Sequence, residues 1–363
     1  MWCRTIISHS RNTNPNWTRG RLIYFVDTNR DMKRESHSIA AKQNNREDRS
    51  RSPIPSLPSS STSSSSNHYS NADDAKDTVF RRAFKYFKKR VPPPDLSKVL
   101  EPRLMDGRPV DSSITISNES LSSLGLRPIS QWKVITFPDR IGLYLLPDLL
   151  SHSGHLDWIR RGIEYSMDGN NKTNIALHSD KPFSLLDDYR SLRWTTLGIQ
   201  YDWATKEYPS SGLPLPSQLT SLASVVVSSL GLGEIKADTT IVNYYPQKST
   251  LSSHVDRSER THSIPLVSLS VGRPGIYLTG GTSLNDPVIP LLLQSGDVLV
   301  MDGDQRLVYH AVPAILPPGE KKGPLDEEKE EMEEMEEMDE WEKRLIKYSR
   351  ECRINFTVRQ VNP

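Results

Sequence analysis

The feature that most restricts the fold is a series of short extended runs in the C-terminal half, at residues 239–245, 264–271, 275–279, 288–293, 297–301, 307–310 and 354–361. They are rich in Val, Ile, Leu and Thr, and Gly, Pro or Asp punctuates the gaps between them. Runs this short and this closely spaced pair antiparallel and stack as two sheets. The predicted fold is therefore mainly β with flanking helices, a jelly roll of the double-stranded β-helix kind. Its mouth gathers side chains from strands that are distant along the chain. Two flanking helices are expected. One spans 149–166, where Leu156, Ile159 and Ile163 recur at helical spacing, and the other spans 216–230, with Leu219, Leu222, Val226 and Leu230 on one stripe and Gly231 to stop it. A short strand is expected near 141–145, a polar loop over 167–189 and a new segment from Leu192 to Gly198. Gly280-Gly281 reads as a tight turn.

Chemistry concentrates in the stretch NYYPQKSTLSSHVDRSE, residues 243–259. His254 and Asp256 stand two apart on what should be extended backbone, so both side chains point to one side. A third ligand is offered by His310, at the end of the strand-like run some fifty residues on. Two imidazoles and one carboxylate on one face, with other positions open, hold Fe(II) for oxygen chemistry. Taken alone an H-x-D is weak, because most histidines are satisfied core or surface groups. Near the C-terminus RINFTVRQV alternates with period two: Arg353, Asn355, Thr357 and Arg359 on one side, Ile354, Phe356 and Val358 on the other. One reading is an edge strand with its polar face in water. The other is that two permanently charged, fork-shaped guanidinium groups and an amide serve a dicarboxylate.

Together these residues resemble the AlkB family of Fe(II)- and 2-oxoglutarate-dependent dioxygenases. The family pattern N-x-Y-x(8)-H-x-D, a distal His, then R-x-N-x-T-x-R is filled by Asn243, Tyr245, His254, Asp256, His310, Arg353, Asn355, Thr357 and Arg359. HVDRSE, PLVSLSVGRPGIYLTGG and NFTVRQV are similar to the nucleic-acid demethylase branch of eukaryotes. The resemblance implies His254, Asp256 and His310 as metal ligands and catalytic centre, with Fe(II) and 2-oxoglutarate as cofactors and O2 as co-substrate. It implies that Arg353 pairs with the far carboxylate of 2-oxoglutarate, with Arg359, Asn355, Asn243 and Tyr245 completing the contacts. The implied reaction hydroxylates an N-methyl group on a base of RNA, tRNA before DNA, and releases formaldehyde, succinate and CO2. Trp194 and Tyr201 fall where relatives carry aromatic residues of a lid over the nucleotide, here near 190–208, although a strand-borne Trp is equally a core residue. Ser258 stands where some bacterial relatives have an acid near the base, so their base preference does not transfer directly. A hydroxylase of protein side chains, or a jelly-roll binding module without catalysis, remain the other classes.

The 363 residues are only 35% hydrophobic, so not all of the chain can pack. Residues 1–77 read as a disordered basic, Ser/Pro-rich tail, 78–132 as an N-terminal helix and extension, and 133–363 as the dioxygenase domain. The helix shows Val79, Phe80, Ala83, Phe84 and Phe87 at helical spacing and is basic elsewhere; docking on the body is expected. An acidic helical insertion occupies 319–347, with Met332, Met335, Met338 and Trp341 as a narrow stripe. Residues 326–342 hold twelve acids against one lysine, so the net charge of +1 hides a basic remainder suited to a phosphate backbone. No apolar run reaches membrane-spanning length, and no membrane partner is expected; the chain is expected to be a monomer. Cys3 and Cys352 are the only cysteines, which points to a reducing compartment, cytoplasm or nucleus. The Arg-rich, acid-poor N-terminus also fits a mitochondrial presequence.

Overall fold

Alternating apolar residues become strands and the three- and four-residue periods become helices that cover them. The computed structural model describes residues 77–110, 116–177, 190–318 and 339–363. The expected tail lies outside the described residues apart from Asp77, as do Met332, Met335 and Met338 of the acidic insertion. The strands are β1 (Arg108–Pro109), β2 (Lys133–Thr136), β3 (Leu143–Leu146), β4 (Lys172–Thr173), β5 (Trp194–Gly198), β6 (Thr239–Tyr245), β7 (Leu251–His254), β8 (Leu266–Gly272), β9 (Gly275–Thr279), β10 (Ile289–Leu293), β11 (Val298–Met301), β12 (His310–Ile315) and β13 (Arg353–Arg359). The helices are α1 (Val79–Lys88), α2 (Asn118–Ser123), α3 (His152–Met167), α4 (Ser217–Ser229) and α5 (Glu340–Glu351).

Two sheets result, a larger one of nine strands in the order β1-β2-β3-β11-β8-β13-β6-β5-β4 and a smaller one of four, β10-β9-β12-β7. The pairings within both are antiparallel. This is the jelly roll that the short runs predict. The edge-strand reading of the C-terminal run is wrong: β13 lies in the middle of the larger sheet, bonded to β6 on one side and β8 on the other. Its apolar side faces α3 and α4, where Ile354, Phe356 and Val358 join Trp158, Ile159, Ile163, Leu222 and Val226 in one buried cluster. The Trp158 and Phe356 rings meet edge to face at 5.3 Å. Each such side chain contributes about 1.5–3 kcal/mol by leaving water. The other side of β13 faces the smaller sheet. Between the sheets Leu145, Leu266, Leu291, Leu299 and Val312 fill part of the space, and the polar side of β13 borders the part left open.

The basic helix docks as expected. Thr78 caps it by accepting the Arg81 N–H at 3.2 Å, and Phe80, Ala83 and Phe87 pack on Ile276, Leu278 and Ala311 of the smaller sheet. Gly280 permits this approach, since a Cβ there would lie 2.9 Å from the Phe80 ring. At the other flank α5 buries Leu345, Ile346 and Tyr348, and Arg160 of α3 pairs with Glu342 at 2.9 Å. Two local expectations are corrected. His310 opens β12 rather than ending a strand, because Gly303–Leu307 coils into a 3-10 turn pinned by the buried Arg306. Likewise β7 stops at His254, so Asp256 lies just beyond regular strand. Among the described residues no helix is long and apolar enough to cross a membrane.

Candidate metal and dicarboxylate site

Strand pairing brings the two histidines together. His254 at the end of β7 is the direct partner of His310 at the start of β12, and the ring centroids are 4.2 Å apart. Asp256 curls back from the loop after β7, with Oδ1 3.8 Å from His254 Nε2. One ligand atom from each of the three lies within 4.8 Å of the others. The tautomers follow from the second ring nitrogens. His254 Nδ1 sits 2.9 Å from the Ser252 carbonyl and His310 Nδ1 3.1 Å from that of Val308. A carbonyl only accepts, so each Nδ1 carries the proton and each Nε2 keeps its lone pair for a metal. Burial, with His254 nearby, pushes the His310 pKa down to about 4, so the ring is neutral at pH 7. Burial works against ionising Asp256, yet Arg359 together with His310 and His254 holds its carboxyl below the ordinary carboxylate range. Imidazole Nε2 atoms and an ionised carboxylate are the donor set that suits a divalent cation.

These groups line a cavity of about 560 Å³ between the sheets, bordered also by Asn243, Tyr245, Arg353, Asn355 and Arg359. The two arginines differ. Arg353, opposite Tyr245 on β6, is 2% exposed. It donates to the Leu293 carbonyl at 3.1 Å and to Ser270 Oγ at 2.6 Å, while its Nε has no partner. No carboxylate pairs with it among the described residues, and burial lowers its pKa to about 10. Gly275 keeps its channel clear, because a Cβ there would lie 3.2 Å from Arg353 Cδ. A buried guanidinium without an anion is costly, and a dicarboxylate reaching down the cavity would relieve it. Arg359, expected among the co-substrate contacts, is instead already engaged: it pairs with Asp256 Oδ2 at 3.3 Å and Glu259 Oε1 at 2.5 Å. The Asn355 amide is also occupied, donating to Ser268 Oγ at 2.8 Å and Leu269 O at 3.0 Å and accepting from Thr357. The residues present thus fit both groups: three donors for a cation, and one unmatched guanidinium for a carboxylate.

The mouth of the cavity is aromatic. Tyr201, Trp203 and Tyr208 border it, as does Ser258, whose hydroxyl lies 3.4 Å from that of Tyr201. Trp194 is not among the residues that border the cavity; its ring packs on that of Trp203 at 4.7 Å, inclined by 31°. Tyr201 meets Trp203 and Tyr208 edge to face at 4.8 and 5.0 Å. Trp203, Tyr208 and Arg306 were not singled out by sequence. Trp203 stands two residues after Tyr201, which is a readable signal in hindsight, whereas Arg306 is an isolated arginine with no pattern around it.

The comparisons with known proteins agree with this geometry. The chain belongs to the 2OG-Fe(II) oxygenase superfamily, whose sequence model matches residues 142–359. Within it the chain is an AlkB-family dioxygenase, an enzyme that works with Fe(II) and 2-oxoglutarate. It is 30% identical to "Nucleic acid dioxygenase ALKBH1" of Homo sapiens, over 68% of this chain and 71% of that one. It is 32% identical to "tRNA demethylase abh1" of Schizosaccharomyces pombe, over 78% of this chain and 96% of that one. It is 29% identical to "DNA N(6)-methyladenine demethylase ALKBH1A" of Arabidopsis thaliana, over 80% of this chain and 98% of that one.

Proposed function

We propose that this enzyme removes N-methyl groups from bases in nucleic acid, with RNA, and tRNA first, as its substrate ahead of DNA. The observation that carries the reading is the aromatic mouth of Tyr201, Trp203 and Tyr208 set over a cavity that ends at His254, Asp256 and His310. Flat aromatic faces accept an extruded base and exclude water from it. The names of the relatives support a nucleic-acid substrate, and the tRNA enzyme is matched along 96% of its length.

In this reading His254, Asp256 and His310 hold Fe(II), and Arg353 pairs with the far carboxylate of 2-oxoglutarate. Tyr245, buried opposite Arg353, stays protonated because burial raises its pKa, so its hydroxyl can donate to the same carboxylate. When bound, the iron and co-substrate supply the O2-dependent oxidation that turns 2-oxoglutarate into succinate and CO2 and hydroxylates the methyl carbon. The hydroxymethyl amine then gives up its hydroxyl proton as the C=O bond of formaldehyde forms, and the C–N bond breaks with its electron pair returning to the base nitrogen. The protein's part is placement: Trp203 and Tyr201 hold the base, Ser258 offers a hydroxyl at its edge, and Arg353 fixes the co-substrate.

The test is to incubate the Fe(II)-loaded protein and 2-oxoglutarate with total tRNA, methylated DNA oligonucleotides or peptides. Formaldehyde and nucleoside mass spectrometry are then measured. Loss of a methylated nucleoside with matching formaldehyde from tRNA, exceeding that from DNA, is expected. Turnover on peptides alone would contradict the reading.

A further inference from the structure

One buried side chain close to this site has no task in the chemistry above. Glu259 stands three residues after Asp256, beyond the reach of the cation site itself, and its side chain is fully buried. Its Oε1 accepts from Arg359 Nη1 at 2.5 Å and lies 3.6 Å from Arg306 Nη2. Its Oε2 has no hydrogen-bond partner and faces His262 Nε2 at 3.7 Å. Arg306 is itself completely buried and donates to the Ile264 carbonyl. The result is a line of alternating charge, Arg306, Glu259, Arg359, Asp256, that ends on the carboxylate beside the histidines.

The last link in that line is specific about oxygens. Arg359 Nη2 lies 3.3 Å from Asp256 Oδ2, while Asp256 Oδ1 is the oxygen near His254 Nε2. A guanidinium free to turn would take both carboxylate oxygens in a fork and so compete with a cation for Oδ1. Glu259 claims the Nη1 branch, so that a single branch reaches Asp256. It also balances the second guanidinium; without it Arg306, Arg359 and Asp256 would leave a net positive charge beside a site meant for a cation. We propose that Glu259 is a positioning residue for the metal centre, holding Arg359 on Asp256 Oδ2 so that Oδ1 stays available to the ion. This rests on the reading of His254, Asp256 and His310 as metal ligands.

The experiment titrates the metal-stripped full chain with Co(II), following the visible absorption that reports coordination, and records thermal unfolding of the same samples. In wild type one Co(II) should bind, and H254A should lose it. E259Q keeps the shape but not the charge, and should bind Co(II) about tenfold more weakly with an altered spectrum, near the lower end for outer partners of metal ligands. Should E259Q fail to fold, E259D, which keeps the charge but draws the carboxylate back from Arg359 Nη1, is read in the same way. Either variant binding Co(II) with wild-type affinity and spectrum, however far its melting temperature falls, would make Glu259 a purely structural ion pair and overturn the proposal. H254A binding like wild type would instead overturn the ligand assignment beneath it.

Discussion

The two ends of β13 carry the same residue type in opposite circumstances. Arg359, at the end near the mouth, is held by Asp256 and Glu259, whereas Arg353, at the deep end, meets only neutral oxygens. Both are buried, so the difference lies in charge matching and not in exposure. Burial works against the charge of both; it lowers the pKa of Arg353, whereas at Arg359 Asp256, Tyr208 and Glu259 more than offset it. A matched guanidinium belongs to the folded protein. An unmatched one is a charge that an anionic ligand can pair with.

That contrast orders the mutational effects. Arg359→Met takes the shared guanidinium from Asp256 and from the buried Glu259 and should cost about 3–5 kcal/mol of stability, read by denaturant unfolding of the metal-free protein. Arg353→Met should leave the ligand-free protein at least as stable as wild type, because it removes a buried charge whose desolvation outweighs the pull of Tyr245 and Asp297. Its loss appears with co-substrate: the KM for 2-oxoglutarate should rise by roughly 30- to 150-fold, corresponding to about 2–3 kcal/mol, with little change in metal binding. Equal destabilisation by the two substitutions would break the comparison.

Acid sharpens it next. His155, packed on Ser295 at 2.8 Å, and His310 are kept neutral chiefly by burial, with pKa values pushed down to about 3 and about 4. The unfolded chain takes up protons near pH 6.5 that the folded chain refuses. Each imidazole therefore contributes stability that is complete above about pH 6.5 and is lost at about 1.4 kcal/mol per pH unit as the pH falls toward the folded pKa. Asp256 behaves otherwise, since its folded pKa is depressed; its contribution survives until the pH drops below the ordinary carboxylate range. Unfolding free energies of the metal-free protein between pH 7.5 and 5 check the slope, which His155→Asn should reduce. The smallest effect is expected at the mouth. Trp203 is 43% exposed, so Trp203→Ala should cost about 1 kcal/mol of substrate binding, the low end for a stacked base, seen as a higher KM for nucleic acid at unchanged 2-oxoglutarate KM.

Much of this was legible in the sequence, for physical reasons that differ by element. The alternation in RINFTVRQV separates the face that packs on Trp158 from the face that borders the cavity, because period two survives whatever the strand's neighbours are. What it does not contain is the strand's place in the sheet, and so an edge was as readable as the centre. The approach of His310 to His254 is a matter of register between strands far apart in sequence, and only the family pattern made it readable. Trp194 shows the limit: its ring packs on Trp203, which borders the cavity, and that is a matter of packing that no spacing encodes. Arg306 and the partnering of Glu259 were invisible for the same reason, since each matters only through what it touches.

The most direct measurement is an anaerobic titration of the Fe(II)-loaded protein with 2-oxoglutarate, followed by the visible charge-transfer absorption of the complex. The band should saturate at low co-substrate concentration in wild type, need far more in Arg353→Met, and never form in Asp256→Ala. Identical titration curves for wild type and Arg353→Met would contradict the account.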